Sequence, residues 1–211
     1  LSPVSVAHMA ECLAMNYTIR ELRLQGLQRG CAQHLATFLK ETFSLVELSA
    51  CWDRACSERA VCEEWHTLVC GLQDNTGVQK VHLSGPVVSP AMPPELDVGE
   101  AAKSILSRNH VLTSLTVDLD LECRPQLETL FLKNIELGAL RRQLSQLHQD
   151  HRRVRLDRES ADDPSSIGPS HDLESIQSEI VRVRGEIDAA VRWKEELLQG
   201  KEIMDCDGSG S

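Results

Sequence analysis

Residues 13–24 read LAMNYTIRELRL, and the same pattern of residue types returns three times further along the chain. The later copies are LKETFSLVELSA at residues 39–50, LQDNTGVQKVHL at 72–83 and LSRNHVLTSLTV at 106–117. Each copy begins with Leu, has Asn or Thr three residues later, and carries aliphatic or small residues at the sixth, ninth and eleventh positions after that Leu. Because the copies start 26, 33 and 34 residues apart, we interpret this part of the chain as an internal repeat.

The spacing of apolar residues changes within each copy. Before the Asn or Thr, apolar residues recur at helical spacing, as at Trp65, Leu68 and Leu72. After it the period becomes two, as at Val81 and Leu83, which is typical of a short strand. The repeated unit is therefore predicted to be a helix, a turn and a strand. No single unit can cover its own apolar face, so the copies are expected to stack into a parallel sheet with helices on one side.

Asparagine stands at the predicted end of three of the four helices, at Asn16, Asn75 and Asn109, while Thr42 takes this place in the second copy. Asparagine tolerates the left-handed backbone conformation that commonly ends a helix. We therefore expect the three asparagines to end their helices in that conformation. The four strands are expected near residues 20–24, 46–50, 79–83 and 113–117.

These repeats resemble the leucine-rich repeat family, and specifically its ribonuclease-inhibitor-like class, in which every repeat contains a full helix. The resemblance covers residues 4 to 121 and implies an α/β fold, a leucine-rich repeat solenoid with a short parallel sheet. The alternative is an ordinary α/β domain with coincidental periodicity. The family's Asn or Cys position is occupied here by other residues, so we expect the family's side-chain ladder to be absent; those residues are Leu27, Asp53, Pro86 and Asp120.

The resemblance also implies a protein-binding surface on the strand face that points away from the helices. Its residues alternate with the inward aliphatic residues, and Trp52 at the end of the second strand is the candidate for an exposed anchor, with a buried Trp as the alternative. The predicted partner-binding residues are Glu21, Arg23, Gln25, Glu47, Ser49, Trp52, Lys80, His82, Ser114, Thr116 and Asp118.

Two longer insertions follow the second and third predicted strands, at residues 51–59 and 84–97. The second reads SGPVVSPAMPPELD and holds four of the eight prolines, so it is expected to be extended and locally stiff. It is read either as a surface loop leading to the next helix or as a polyproline-type ligand segment.

Composition changes near residue 124, where a charged and cysteine-poor region begins. Leu137, Leu140, Leu144 and Leu147 start one heptad seam, and a second runs from Leu173 to Met204, with Lys194 among its members. We predict domains at residues 1–123 and 124–204, with a polar loop near 157–172 and a flexible tail at 205–211. The helices are expected to form a coiled-coil hairpin or to pair with another chain in a homo- or hetero-oligomer.

The segment LETLFLKNIEL, residues 127–137, fits both the strand pattern of a repeat and the start of a helix. Only 15 residues separate Leu112 from Leu127, whereas a repeat of this class needs about 20 or more. We therefore interpret it as the beginning of a helix that caps the last repeat.

The eight cysteines show irregular spacing and no CxxC pair, which favours buried thiols in a reducing cytosol over a disulfide framework. A zinc site on Cys51, Cys56, Cys62 and His66 is the alternative, although its spacing matches no common zinc pattern. We predict neither a metal nor a cofactor. None of the motifs GxSxG, HExxH, GxxxxGK or GxGxxG occurs, so an enzyme is not expected.

The formal net charge of −10 disfavours a nucleic-acid partner, because a phosphate backbone repels an acidic surface. The chain has no run of 18 apolar residues, so no membrane partner is expected either. No targeting signal is expected, and the final GSGS is interpreted as a flexible addition.

Taken together, these patterns predict a non-catalytic scaffold or adaptor in the cytoplasm that binds proteins through the repeat surface and the coiled coil. Cytoskeletal and ciliary assembly proteins combine similar parts, so the cytoskeleton or the cilium is a candidate location. The alternatives are the ligand-sensing repeat domain of an innate-immune receptor and the substrate receptor of a ubiquitin ligase.

Overall fold

The computed structural model describes residues 1–86, 98–117, 124–159 and 171–199. Helices and strands alternate through the repeats: α1 (Pro3–Ala14), β1 (Glu21–Leu27), α2 (Cys31–Glu41), β2 (Glu47–Trp52), α3 (Glu58–Gly71), β3 (Lys80–Ser84), α4 (Val98–Leu106) and β4 (Ser114–Val117). Two longer helices follow, α5 (Arg124–Glu159) and α6 (His171–Leu198).

Several predictions fall outside the described residues. They concern the partner-binding Asp118, Asp120 at the family's ladder position, the proline-rich segment from residue 87 to 97, most of the polar loop near 157–172 and the tail at 205–211.

The four strands form one parallel sheet in the order β1-β2-β3-β4, which confirms the predicted side-by-side and co-directional arrangement. Equivalent positions of the sequence copies occupy the same register, so one row across the sheet consists of Leu22, Leu48, Val81 and Leu115. Successive helices pack against each other in the same order as the strands. The described residues are therefore a mixed α/β fold with four strands and six helices.

The chain divides into two compact units, Leu1–Ile135 and Glu136–Ser211. This division lies within α5, whereas the composition changes at the start of that helix. The predicted domain boundary between residues 123 and 124 stays a prediction.

The core of the first unit lies between the sheet and the helices. Inward strand residues such as Leu48 and Leu83 are fully buried, and so are helix residues such as Leu35, Trp65 and Leu106. Burying one side chain of this size contributes about 1.5–3 kcal/mol. Helices and sheet therefore stabilise each other by covering faces that neither could cover alone.

The N-terminus of α2 is capped by a side chain from α3. Its own capping residue, Gly30, has φ 91° and offers no side chain. The buried carboxylate of Glu64 accepts hydrogen bonds from the backbone N–H groups of Gly30 at 2.7 Å and Ala32 at 2.8 Å. A negative charge at a helix N-terminus is favourable because unpaired N–H groups and the helix dipole converge there. Glu64 therefore links two successive repeats.

A ladder of asparagine side chains joins the turns between helices and strands. The Asn75 side-chain amide donates to the carbonyls of Leu39 and Thr42, while its Oδ1 accepts from Gly77 N–H at 3.0 Å and Val78 N–H at 2.7 Å. It is only 3% exposed. Each Asn of this kind satisfies its own turn and also the turn of the repeat before it.

Asn109 makes the same contacts one repeat later. Its Nδ2 donates to the carbonyls of Leu72 at 2.7 Å and Asn75 at 3.1 Å, and its Oδ1 accepts from Val111 and Leu112 N–H. In the second repeat, where Thr42 replaces Asn, the hydroxyl of Ser44 donates to the Asn16 carbonyl at 2.9 Å instead. The connection between turns therefore continues through the repeat that lacks the asparagine.

The structure corrects two sequence-based expectations at these turns. The expectation that the turns lack a side-chain ladder was incomplete: Leu27, Asp53 and Pro86 occupy the family's usual position, but asparagines at the helix ends form a different ladder. Asn16, Asn75 and Asn109 also do not adopt the left-handed conformation, since the described residues with positive φ are all glycines. The Oδ1 atoms of these Asn side chains accept hydrogen bonds from the following backbone N–H groups, and these bonds shape the turns.

The beginning of α5 covers the last repeat, as predicted for residues 127–137. Leu127 is 2% exposed and Leu130 is 1% exposed. The Asn134 side chain donates to the carbonyls of Asn109 at 3.2 Å and Leu112 at 2.6 Å. Asn134, which lies on a helix, thus continues the ladder and satisfies carbonyls in the turn of the fourth repeat.

The second unit contains the rest of α5 and α6. The described seam residues of α6 are all half-buried or buried, and Ile180, Val183 and Ala190 are among the buried ones. The Gln143 side chain donates to Glu179 at 3.4 Å, and the Arg184 guanidinium donates to His148 at 3.2 Å, so the two helices lie side by side. Lys194, also in the seam, is fully buried, and burial together with nearby Arg141 lowers its pKa to about 8.

Gly71→Ala is expected to destabilise the first unit. A Cβ at this position would lie 2.5 Å from Ala36 Cβ and 2.8 Å from Ala36 Cα, so α2 and α3 would have to separate. We expect a loss of about 1–3 kcal/mol in the free energy of unfolding, measured by urea denaturation. The control is Gly185→Ala in α6, where an added Cβ meets no atom within 4 Å and better helix propensity should stabilise by about 0.5–1 kcal/mol. Equal effects of the two substitutions would contradict this packing.

Asn109→Ala is expected to cost more stability than the same change at the first turn. It leaves two buried carbonyls and two backbone N–H groups without their side-chain partner, so we expect a loss of about 2–4 kcal/mol. Asn16→Ala, which removes only bonds accepted from Thr18 and Ile19, should cost about 1 kcal/mol. Urea denaturation of both variants measures the difference. A cost at Asn109 no larger than at Asn16 would show that the ladder contributes little.

The stability of the second unit is expected to rise with pH because of Lys194. Its pKa is lowered from 10.5 to about 8, so the folded state releases the proton first and gains stability between pH 8 and 10.5. The gain is up to about 3 kcal/mol and should disappear in Lys194→Met. Thermal unfolding across this pH range measures the gain in stability. The control is Lys40→Met at an exposed lysine, and this variant should show the same increase of stability with pH as the wild type. Parallel pH profiles for the wild type and Lys194→Met would contradict the assignment.

Candidate protein-binding surface

The sheet brings most of the predicted partner-binding residues onto one face. Their side chains alternate with the buried aliphatic residues and are exposed or half-buried. The register aligns them in two rows, Glu21-Glu47-Lys80-Ser114 and Arg23-Ser49-His82-Thr116. Gln25 is exposed near the end of β1. We call this set of residues the strand face.

Charge is distributed unevenly across the strand face. Glu21 and Glu47 are opposite each other on β1 and β2, and Arg23 forms an ion pair with Glu21. Lys80 and His82 stand on β3, beside the uncharged Ser114 and Thr116 of β4. Both carboxylates of the described face therefore lie on β1 and β2, together with Arg23, whereas the titratable residues of β3 are basic. Exposed charges of this kind affect partner choice and association rate more than folding stability.

Trp52 is not an exposed anchor, contrary to the prediction. It is 2% exposed, its ring lies edge-on to Trp65 with centroids 6.5 Å apart, and its Nε1 donates to Glu64 at 3.4 Å. The physical reason is the period of two along β2, where Leu48, Ala50 and Trp52 all point inward. Trp52 therefore belongs to the core and helps to hold the capping carboxylate of Glu64.

The described residues do not support the zinc alternative. Cys62 is 1% exposed, and burial raises the pKa of its thiol to about 11, whereas zinc binds the thiolate. Cys51 and Cys56 are half-buried, and their sulfur atoms lie close to the carbonyls of Trp52 and Leu27. Within the described ranges, no group of three or more His, Cys, Asp or Glu side chains is placed to hold a metal ion.

Two exposed aromatic residues were missed by the sequence analysis. Tyr17 and Phe43 are each 71% exposed and occupy the same position in successive repeats, directly after Asn16 and Thr42. The signal was present in the sequence, because both stand four residues after the Leu that opens each copy. Exposed aromatic side chains are common at protein interfaces. These two residues extend the candidate surface to the turns that connect each helix to the following strand.

The structure also contains a pocket that the sequence analysis did not predict. It lies in the first unit, between β4 and the first turns of α5, and has a volume of about 400 Å³. Ser114 and Thr116 of the strand face line it together with Leu115. The α5 side contributes Arg124, Leu127, Glu128, Phe131, Leu132 and Ile135. A sequence pattern could not reveal this pocket, because it depends on how α5 packs beside the edge strand.

None of the described helices is both long enough and apolar enough to cross a membrane.

Comparison with known proteins finds a likeness in structure but none in sequence. No protein-family model matches the chain, and no curated protein sequence matches it. Among solved structures, the chain is similar to leiomodin-1 actin-binding site 2, with 13% sequence identity and a TM-score of 0.50. The match covers 76% of this chain and 83% of that one. At this level of identity the likeness concerns the fold alone.

Proposed function

We propose that this chain is a non-catalytic protein-interaction scaffold, built from a leucine-rich repeat array of the ribonuclease-inhibitor-like class and a coiled-coil hairpin. The array is supported by four helix-and-strand units in one register and by the asparagine ladder that joins them. The hairpin is supported by the low exposure of the α6 seam and by the two hydrogen bonds between α5 and α6. Pairing of these helices with another chain remains the alternative.

The observation that carries the proposal is the strand face. The sheet uses its inward side for the core and leaves two aligned rows of polar side chains on its other side. A parallel sheet usually has both faces covered by helices, so a polar open face is suited to contact with another macromolecule. The mixed charges on it fit a protein partner better than a polyanion.

A cytoskeletal partner is the more specific candidate. The solved structure to which the chain is similar is described as an actin-binding site, and its fold matches over most of both chains. Actin, or another cytoskeletal protein, is therefore the first partner to test, and the cytoplasm and the cytoskeleton are the proposed location. The innate-immune receptor and ubiquitin-ligase hypotheses have no comparable support.

Reversing two charges on the strand face is expected to weaken partner binding at least about tenfold. We suggest Arg23→Glu combined with Lys80→Glu, because both residues are exposed and lie two strands apart on the face. The control is Arg153→Glu combined with Arg192→Glu, two exposed residues of α5 and α6. Affinity capture from cell extract with mass spectrometry compares the two variants with the wild type, and purified actin is tested directly by co-sedimentation.

The expected result is a set of cytoskeletal proteins retained by the wild type and the control but lost by the strand-face variant. For a purified partner, the Kd should rise at least about tenfold, or 1.4 kcal/mol. Identical protein sets for all three forms would contradict binding through this face. Retention of other partners without actin or another cytoskeletal protein would contradict only the cytoskeletal assignment.

A further inference from the structure

The strand face continues directly into the pocket between β4 and α5. Ser114 and Thr116 belong to both, since they end the two polar rows and also line the pocket wall. At about 400 Å³, the pocket lies within the range of roughly 300–1,000 Å³ typical of ligand sites. A partner lying across the strand face would therefore reach this pocket at the end of the sheet.

The pocket supplies the apolar contact that the strand face lacks. Outward-facing residues of the described strands are polar or small, so they offer no large apolar side chain. In the pocket, Phe131 lines the interior at 8% exposure, while Leu132 and Ile135 are 67% and 50% exposed. Large apolar side chains beside a polar surface are typical of the centre of a protein interface, where a partner's anchor residue is buried.

The charges around the pocket favour an acidic ligand. Lys80 and His82 stand on the neighbouring strand, in register with Ser114 and Thr116 respectively. Both are exposed. On the α5 side, Arg124 adds a second permanent positive charge and Glu128 a negative one. Among the described residues, the permanent charges of Lys80, Arg124 and Glu128 therefore sum to +1, although the whole chain is acidic.

We propose that this pocket binds a bulky apolar side chain of a partner protein, in a segment with carboxylates next to that side chain. The apolar side chain would contact Phe131, Leu132 and Ile135, and the carboxylates would lie near Lys80 and His82. The inference rests on the proposed strand-face function, because it names the anchor point and the chemistry of the segment that this face recognises.

The probe is a library of random peptides displayed on phage and selected against the full chain. Enriched peptides are then synthesised with a fluorescent label, and their affinity is measured by anisotropy. Leu132→Ser tests the apolar contact, with Val181→Ser as its control, since the two residues are 67% and 66% exposed on long helices. Lys80→Gln tests the charge, with Lys40→Gln as its control on another exposed lysine.

We expect enriched peptides to carry Leu, Ile, Met or Phe beside Asp or Glu. Their Kd should rise at least about tenfold for Leu132→Ser and several-fold for Lys80→Gln, and it should stay unchanged for both controls. Enrichment of basic peptides would overturn the inference. An unchanged peptide affinity for Leu132→Ser would also overturn it. The same holds if the wild-type chain enriches peptides no more strongly than a chain that carries both Leu132→Ser and Lys80→Gln.

The strand-face variants separate this inference from the proposed function. Peptides that lose binding to Arg23→Glu but not to Leu132→Ser would overturn the pocket and support the strand face. If neither substitution affects any enriched peptide, both the pocket and the strand face are wrong as binding sites.

Discussion

Stacking of the repeats depends on hydrogen bonds at the buried turns between helices and strands. Carbonyl groups at helix ends and in turns lack the partners that a continuing helix or sheet supplies, and leaving one unpaired costs about 1–3 kcal/mol. Asn75 and Asn109 solve this by donating to the previous turn while accepting from their own. Because each of these side chains also bonds to the turn before its own, every such repeat stabilises its neighbour.

Helix α5 covers the last repeat and in doing so forms the candidate binding pocket. Asn134 satisfies the turn of the fourth repeat from a helix rather than from another strand. Among the described residues, β4 is the last strand of the sheet, and the first turns of α5 lie beside it. The same residues that end the array thus place Phe131 and Leu132 next to the strand face. The packing of α5 beside β4 therefore both covers the last repeat and forms the proposed binding pocket.

Much of the fold could be predicted because the spacing of apolar residues along the sequence indicates each helix and strand. The change from helical spacing to a period of two, as between Leu72 and Val81, predicts the elements, and equal positions in the copies predict the register. The same period of two points Trp52 inward, so its burial could have been predicted as well. The capping role of Glu64 and the pocket could not be predicted, because both depend on contacts between residues that are distant in sequence. The sequence analysis placed the asparagines correctly but expected their backbone to turn left-handed. In the structure, their side chains shape the turns through hydrogen bonds instead.

Native-state hydrogen exchange tests the central claim that the ladder makes the repeats one cooperative array. Val78 and Leu112 donate their backbone N–H groups to the ladder asparagines of two successive repeats. If the repeats open together, these amides will show the same free energy of opening in the wild-type chain, equal to that of global unfolding of the first unit. An opening free energy for Leu112 lower than that of Val78 by more than about 1.4 kcal/mol would show that the fourth repeat opens alone, which contradicts the account.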